Sequence, residues 1–323
     1  MKYRTFGRTG WRVSEIGFGA WAIGGNRFGN SYGLTGDETS KAALRKALDL
    51  GCNFLDTADI YGHGHSEELI GEVVGNRKDI FVGTKVGGNF YGRSAGGQPL
   101  VRMDFSPEYI EFACDQSLNR LKRDAIDLYL LHNPPLEYIE RDDIFGTLDR
   151  LKEKGKVREV GVSIHQAAEG LAALKHPSVA AVQVVFNVFR VRDALALREE
   201  AGRAGAALIA REPLSNGLLT GKYGDQAAWN WVKGDLRGNF PAPYLRSLGE
   251  TAQKLKVLEV PGRRTLAQAA LQFILREAAI ATVIPGCKTP EQAAENLTAG
   301  DAPPLSARDI DRLRRILEDA SRA

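Results

Sequence analysis

Eight short hydrophobic runs recur along the chain, and each is almost continuously apolar rather than alternating between apolar and polar positions. Runs of this kind are typical of strands that are buried on both faces of a parallel sheet. The pattern therefore predicts eight strands, over residues 14–19, 53–58, 79–85, 126–132, 158–164, 179–186, 206–212 and 280–286.

Amphipathic stretches with readable start signals lie between these runs. Apolar residues at helical spacing follow Asp37 and Thr39, either of which can open a helix, and Gly51 is placed to end it. Ser106 precedes Pro-Glu, a usual order at a helix start. Thr289 begins a Thr-Pro-Glu-Gln sequence that predicts a capping box. Strands and helices thus alternate in units of roughly 30 residues, the length of a strand with its crossover helix.

This alternation predicts an α/β fold, a (β/α)8 TIM barrel with long loops at its C-terminal face. No linker or shift of composition divides the chain, so we expect one domain over residues 1–323. A doubly wound open sheet is the alternative fold. The glycines of GFGAWAIGG, after the first strand, lack the spacing of its dinucleotide-binding fingerprint, which favours the barrel.

Composition narrows the class of protein. Hydrophobic residues make up 43% and charged residues 26% of the chain, which excludes a disordered protein, and a net charge of +3 does not indicate a nucleic-acid partner. The three cysteines form neither a disulfide framework nor a zinc pattern. The sequence shows no secretory signal and no apolar run of about 18 residues that could span a membrane. We expect a cytoplasmic protein without nucleic-acid or membrane partners, and the sequence leaves its oligomeric state open.

Four titratable residues stand at or just beyond the ends of successive predicted strands. They are Asp56, Tyr61, Lys85 and His132. Each one alone has an ordinary structural explanation, as a turn residue, a loop aromatic, a solvated strand end or a core histidine. Because the active site of a barrel lies at the C-terminal ends of its strands, we expect the four to face one another.

These residue types suit the reduction of a carbonyl group. A tyrosine phenol can protonate the developing alkoxide, and a nearby ammonium such as that of Lys85 lowers its ordinary pKa of about 10. Asp56 offsets the burial of this ammonium, and His132 donates a hydrogen bond that polarises the carbonyl. No side chain supplies a hydride, so the reaction requires a nicotinamide cofactor.

Seven segments, in the same order, resemble the aldo-keto reductase superfamily: FLDTADIYG, FVGTK, DLYLLH, GVS, QVVFN, EPLSNGLLTGK and IPGCKTPEQAAEN. The resemblance implies an NADP-dependent oxidoreductase, with NAD possible, acting on a small-molecule carbonyl or sugar substrate. It implies a catalytic tetrad of Asp56, Tyr61, Lys85 and His132, with Tyr61 as general acid and base. The cofactor-binding residues that it implies are Trp21, Ser163, Gln183, Arg211, Leu214, Gly217, Lys222, Gly286, Lys288, Gln292, Glu295 and Asn296.

The chain departs from the family pattern at several cofactor positions. Ile164 follows Ser163 where the family often has asparagine, and Arg211 replaces a tyrosine that stacks on the nicotinamide in many members. Gly286 and Gln292 occupy positions that are often basic. Lys288, just before the helix that Thr289 opens, is expected to pair with the 2′-phosphate of NADP.

Several alternatives stay open. The same tetrad serves an NAD-dependent sugar or alcohol dehydrogenase, and some family members are slow, redox-sensing interaction subunits. Because strand-forming residues begin almost at Met1, we expect no N-terminal regulatory extension, which favours the enzyme. His63 and His65 form an H-x-H pair without a convincing third ligand, so no metal site is expected. The segments 87–104 and 223–244 are expected to arch over the barrel mouth, bringing Phe90, Tyr91, Trp229 and Trp231.

Overall fold

A parallel sheet of eight strands forms the centre of the protein. A computed structural model describes residues 1–25, 27, 31–93, 99–223, 231 and 234–322. The strands are β3 (Phe18–Gly19), β4 (Phe54–Asp56), β5 (Phe81–Val86), β8 (Ile126–His132), β9 (Val157–Ser163), β10 (Val179–Val185), β11 (Ala207–Arg211) and β12 (Ile280–Val283). Each pairs in parallel with the next in this order. All eight predicted strands are present.

The sheet closes on itself between its first and last strands. The Gly17 amide donates to the Val283 carbonyl at 2.8 Å, and the Gly19 amide donates to the Pro285 carbonyl at 2.9 Å. These bonds join β3 to β12 and remove both open edges of the sheet. The result is the (β/α)8 barrel that the sequence predicts.

Side chains along each strand alternate between the barrel interior and the surrounding helices. On β8, Leu128 and Leu130 pack inside the barrel, whereas Tyr129 and Leu131 pack in the larger core between strands and helices. Both faces are buried, which explains the continuous hydrophobic runs. A hairpin of β1 (Tyr3–Thr5) and β2 (Arg12–Ser14) leads Phe6 and Val13 into the interior cluster.

The helices are α1 (Asp37–Asp49), α2 (His65–Val73), α3 (Pro107–Leu121), α4 (Leu136–Ile139), α5 (Asp142–Glu153), α6 (Ala167–Ala173), α7 (Arg192–Ala204), α8 (Ala242–Lys254), α9 (Leu266–Leu275), α10 (Pro290–Leu297) and α11 (Ala307–Arg322). A second hairpin, of β6 (Gly88–Arg93) and β7 (Pro99–Met103), lies between β5 and α3. None of the helices in the described ranges is long and apolar enough to cross a membrane.

The helix ends confirm three sequence predictions and correct one. Ser106 caps α3 as predicted, and Gly51 follows α1 with a left-handed φ of 86°. The helix α1 begins at Asp37, one of the two predicted starts, with Gly36 at its cap position. Of the two hydrogen bonds of the capping box predicted at Thr289, only one is present.

The missing half of that box has a local cause. The Thr289 hydroxyl accepts from the Gln292 amide at 3.3 Å. The Gln292 side-chain oxygen instead accepts from the Lys288 amide at 2.8 Å. That contact fixes the chain between β12 and α10, which borders the cleft described next.

Candidate active site

The loop between β4 and α2 delivers Tyr61 to the C-terminal end of the barrel. Gly62 has a φ of 62°, and a Cβ atom there would lie 2.1 Å from the Gly24 carbonyl oxygen. Only glycine combines this left-handed backbone with so close a backbone approach. The loop is therefore pressed onto the short 3-10 helix Trp21–Gly24, which follows β3.

Lys85 lies at the centre of a buried hydrogen-bond cluster. Its ammonium donates to Asp56 Oδ2 at 2.7 Å, to the Thr57 carbonyl at 2.7 Å and to the Tyr61 hydroxyl at 3.2 Å. The Lys85 side chain is fully buried. All three ammonium protons thus have partners, and the structure brings Asp56, Tyr61 and Lys85 together as the sequence predicts.

Asp56 is also held from its other side. Gln183 Nε2 donates to Asp56 Oδ1 at 2.6 Å, and the Ser163 hydroxyl donates to Gln183 Oε1 at 2.9 Å. A chain of bonds therefore runs from β9 through β10 to β4 and reaches Lys85. This role of Ser163 and Gln183, as supports of the Asp56 carboxylate, was not predicted from the sequence.

Burial and charge oppose each other at this cluster. Burial works against the Lys85 ammonium, but Asp56 and Tyr61 outweigh it and raise the pKa of Lys85. Burial raises the pKa of Tyr61, and the Lys85 ammonium offsets this only in part. The expectation of a lowered Tyr61 pKa is wrong. Tyr61 is a protonated phenol at neutral pH, which is the form that gives a proton.

His132 ends β8 and faces Tyr61 across the cleft. The two rings meet edge to face with their centroids 5.7 Å apart. Burial, followed by the charge of Lys85, holds the pKa of His132 well below its usual value. The imidazole is therefore neutral at neutral pH, with one ring N–H to donate. The fourth predicted residue thus lies with the other three.

A cleft of about 700 Å³ opens at this end of the barrel. Asp56, Tyr61 and His132 line it, while Lys85 and Ser163 lie behind its wall. The other predicted cofactor residues line the cleft as well: Trp21, Gln183, Arg211, Leu214, Gly217, Lys222, Gly286, Lys288, Gln292, Glu295 and Asn296. One cavity therefore collects residues from strand ends and loops all around the barrel.

Arg211 turns toward β9 at the end of its own strand. Its Nη2 atom donates to the Ile164 carbonyl at 2.9 Å and lies 3.1 Å from His165 Nδ1. Its Nε atom is buried and has no hydrogen-bond partner in the described structure. A donor of this kind at a cavity wall is a candidate contact for a bound molecule.

Lys288, which also lines the cleft, already has a hydrogen-bond partner. Its ammonium donates to the Tyr32 carbonyl at 2.6 Å, and the Tyr32 hydroxyl donates to Asn216 at 2.6 Å. Burial, together with the nearby charge of Arg237, lowers the pKa of Lys288. Tyr32 and Arg237 were missed in the sequence because neither stands at a strand end or in a recognisable motif.

The two long segments border the mouth of the cleft. Phe90 of β6 stacks between His63, at 4.8 Å, and Tyr91, at 4.4 Å. In the second segment the Arg237 guanidinium lies 4.1 Å from the Trp231 ring centroid. Trp229 falls outside the described residues.

The H-x-H pair points in two directions. His65 contacts Asp37 at 2.8 Å and Glu68 at 3.2 Å, whereas His63 stacks on Phe90. Within the described ranges no group of three histidine, cysteine or acidic side chains is arranged to hold a metal ion. The His65 contacts instead join α1 to α2.

Comparison with known proteins places this geometry in a family. The model of the Aldo/keto reductase family matches residues 15–318. The chain is 32% identical to the uncharacterized oxidoreductase YqkF of Bacillus subtilis, over 97% of this chain and 96% of the relative. It is 32% identical to the aldo-keto reductase yakc [NADP(+)] of Schizosaccharomyces pombe, over 89% of this chain and 84% of the relative. The holo structure of aldo-keto reductase AKR11C1 from Bacillus halodurans superposes with a TM-score of 0.78 at 27% identity, covering 98% of this chain and 96% of the other.

Proposed function

The chain belongs to the aldo/keto reductase family of oxidoreductases, and we propose that it interconverts an aldehyde or ketone with the corresponding alcohol by using a nicotinamide cofactor. The observation that carries this proposal is the Tyr61 hydroxyl, which lies 3.2 Å from the Lys85 ammonium on the wall of the cleft. The Tyr61 hydroxyl is a proton donor that a substrate in the cleft can reach, and the buried Lys85 ammonium provides a fixed positive charge beside it.

Each member of the tetrad then has a separate task. Tyr61 gives its proton to the carbonyl oxygen as that oxygen becomes an alkoxide, and takes it back in the reverse direction. Lys85 stabilises the phenolate that is left behind, and Asp56 keeps the ammonium charged and in place. His132, as a neutral donor, orients the carbonyl beside Tyr61. A bound nicotinamide supplies or accepts the hydride.

The residues around the cleft fit such a cofactor. Arg211, whose buried Nε has no hydrogen-bond partner among the described residues, lines the cleft together with Asp56, Tyr61 and His132. The N-terminus of α10, with Lys222 and Lys288, borders the same cleft, a combination that suits phosphate groups. We assign the nicotinamide to the region beside Gln183 and Arg211, and the phosphates to the region beside Lys288.

We further propose NADP as the preferred form of the cofactor. Lys288 is the cation placed closest in sequence to the cap of α10, and its ammonium can exchange the Tyr32 carbonyl for a 2′-phosphate. The bond to Tyr32 also favours a second candidate, an NAD-dependent sugar or alcohol dehydrogenase, because a lysine satisfied at 2.6 Å by a carbonyl does not require a phosphate. Comparing the dissociation constants of NADPH and NADH separates the two.

A cytoplasmic location is part of the proposal. Cys52, Cys114 and Cys287 are free and buried, and three unpaired thiols suit a reducing compartment.

The experiment that tests the function is a substrate panel. Aldehydes, ketones and sugars are each mixed with the protein and NADPH or NADH, and the loss of reduced-cofactor absorbance is followed. The same alcohols and sugars are then tested with the oxidised cofactors. Carbonyl-dependent oxidation of one cofactor supports the proposal, whereas no turnover in either direction across the panel contradicts it.

A further inference from the structure

The residue that we single out lies behind the catalytic loop. The loop from Asp56 to Gly64 carries Tyr61, and its end rests on a side chain of α3. A Cβ atom at Gly64 would lie 2.6 Å from Cδ and 2.7 Å from Nε of Arg120. The absence of a side chain at Gly64 therefore lets the backbone of this loop contact the arginine directly.

The Arg120 guanidinium joins two further elements. Its Nε donates to Glu67 Oε2 of α2 at 2.7 Å, and its Nη1 donates to the Tyr91 hydroxyl of β6 at 2.8 Å. The other Glu67 oxygen accepts from the Thr84 hydroxyl at 2.5 Å. Thr84 immediately precedes Lys85 on β5. Arg120 thus connects the catalytic loop, the helix after it, the strand of the tetrad lysine and the β6–β7 hairpin.

The hairpin returns to the same loop by a second route. Tyr91 stacks on Phe90 at 4.4 Å, and Phe90 stacks on His63 at 4.8 Å. His63 follows Tyr61 by two residues, lies in the cleft wall and has a left-handed φ of 53°. The loop is therefore held at His63 by the aromatic stack and at Gly64 by Arg120, and Tyr91 links both contacts.

Electrostatics make an arginine specifically suitable here. Glu67 is completely buried, and the carboxyl group of Asp59 is buried nearby without a hydrogen bond from the described residues. Arg120 pairs with Glu67 and also has to reach a phenol on the hairpin. The planar fork of arginine binds a carboxylate and a hydroxyl in fixed directions, whereas lysine offers a point charge.

We propose that Arg120 is a positioning residue, which holds the loop of Tyr61 and the β6–β7 hairpin in one arrangement and so fixes the phenol beside Lys85. It touches neither the cleft nor the reacting atoms, so it acts through Gly64 and Tyr91. The inference rests on the proposed function, because its effect on rate is measured on carbonyl reduction.

The test uses Arg120→Lys and Tyr91→Phe on a substrate that the wild type reduces. Arg120→Lys retains a cation for Glu67 but loses the fork, so we expect kcat to fall about tenfold or more, as misplacement of a reacting group does. The dissociation constant of the cofactor should stay within about twofold of the wild-type value, far below the effect on kcat. Tyr91→Phe, on a partly exposed ring, keeps the stack and loses only the hydroxyl, so its smaller loss should add nothing to Arg120→Lys in the double variant.

Arg123→Lys is the matched control. Arg123 lies just after α3 and forms a buried ion pair, at 2.8 Å to Asp127, but it contacts the chain before β5 and not the catalytic loop. It should reduce stability without lowering kcat. Amide hydrogen exchange over residues 57–66 gives a readout independent of activity and should accelerate in Arg120→Lys but not in Arg123→Lys.

The outcomes separate this inference from the proposed function. A wild-type chain that reduces no carbonyl contradicts the function, while the exchange rates still decide whether Arg120 holds the loop. If wild-type turnover is normal but both variants keep kcat within twofold, with unchanged exchange over residues 57–66, the positioning role is wrong. If Arg123→Lys lowers kcat as much as Arg120→Lys does, the effect is one of general stability and the inference also fails.

Discussion

The Lys85 ammonium lies 2.7 Å from the Asp56 carboxylate, and both side chains are buried. Removing one member of such a pair leaves the other charge without compensation, which typically costs about 3–5 kcal/mol of stability. We expect Lys85→Met to lower the free energy of unfolding by about this amount. The double variant Lys85→Met/Asp56→Leu should recover much of it, and neither variant should turn over. Urea unfolding measures the free energy of unfolding of both variants. A Lys85→Met variant as stable as the wild type would argue against a charged pair.

His132 gives a prediction about pH and one about rate. Because burial and the Lys85 charge hold its pKa well below the usual value, it carries no proton to lose between pH 6 and 8. The value of kcat/KM for carbonyl reduction should therefore show no titration of His132 in this range. His132→Phe removes a hydrogen-bond donor and should lower kcat/KM by about 10²–10³.

His176→Phe is the control for that substitution. His176 stacks on Phe145 at 3.6 Å and contacts the Ile139 carbonyl outside the cleft. It should keep wild-type turnover. Equal losses in the two variants would remove His132 from its proposed role.

Asp59 predicts an unusual dependence of stability on pH. Burial, then the nearby Glu67, raises the pKa of Asp59 well above its ordinary value, and Arg120 offsets this only in part. The folded chain keeps this proton to higher pH than the unfolded chain, so this residue's contribution to stability falls as pH rises above about 4. Asp59→Asn should be more stable than the wild type at pH 8, and the difference should shrink toward pH 4.

Asp79→Asn is the matched control for Asp59. Asp79 is exposed, and its hydrogen bond with Arg77 lowers the pKa of its carboxyl group. Its neutralisation should give no gain at pH 8. Thermal unfolding of both variants from pH 4 to 8 measures these differences in stability. An Asp59→Asn variant less stable than the wild type at pH 8 would contradict a raised pKa of Asp59.

Lys288 tests the choice of cofactor. A charged hydrogen bond to phosphate is worth about 1.5–3 kcal/mol, so Lys288→Ala should weaken NADPH binding by roughly tenfold to a hundredfold. NADH binding should be nearly unchanged and serves as the internal control. Fluorescence titration measures the dissociation constants of both cofactors. If Lys288→Ala weakens NADPH and NADH binding equally, Lys288 does not bind a 2′-phosphate.

The sequence predicted the elements better than the contacts between them. Uninterrupted apolar runs identify strands buried on both faces, so the eight barrel strands and the strand-end positions of Lys85 and His132 could be found. The bond from Gln183 to Asp56 could not, because it joins residues 127 positions apart through side-chain directions that no pattern encodes. The bond from Lys288 to the Tyr32 carbonyl crosses 256 positions for the same reason.

The directions of the pKa shifts were the other feature that the sequence could not predict. The sequence places a cation beside Tyr61 and suggests a lowered pKa, but the extent of burial decides the direction and is visible only in the folded chain. Asp59 shows the same limit, since a loop aspartate beside a turn is ordinarily solvated. In this fold α2 and α3 enclose it.

The kcat of Tyr61→Phe tests the central claim most directly. This change removes one hydroxyl and leaves the ring, so folding and the dissociation constant of the cofactor should match the wild type. Because a positioned general acid contributes about 10²–10⁴ in rate, we expect kcat for carbonyl reduction to fall by that factor. Tyr129→Phe, whose hydroxyl contacts the Ile110 carbonyl behind the barrel, should keep full turnover. A Tyr61→Phe variant that retains more than about a tenth of the wild-type kcat would contradict the account.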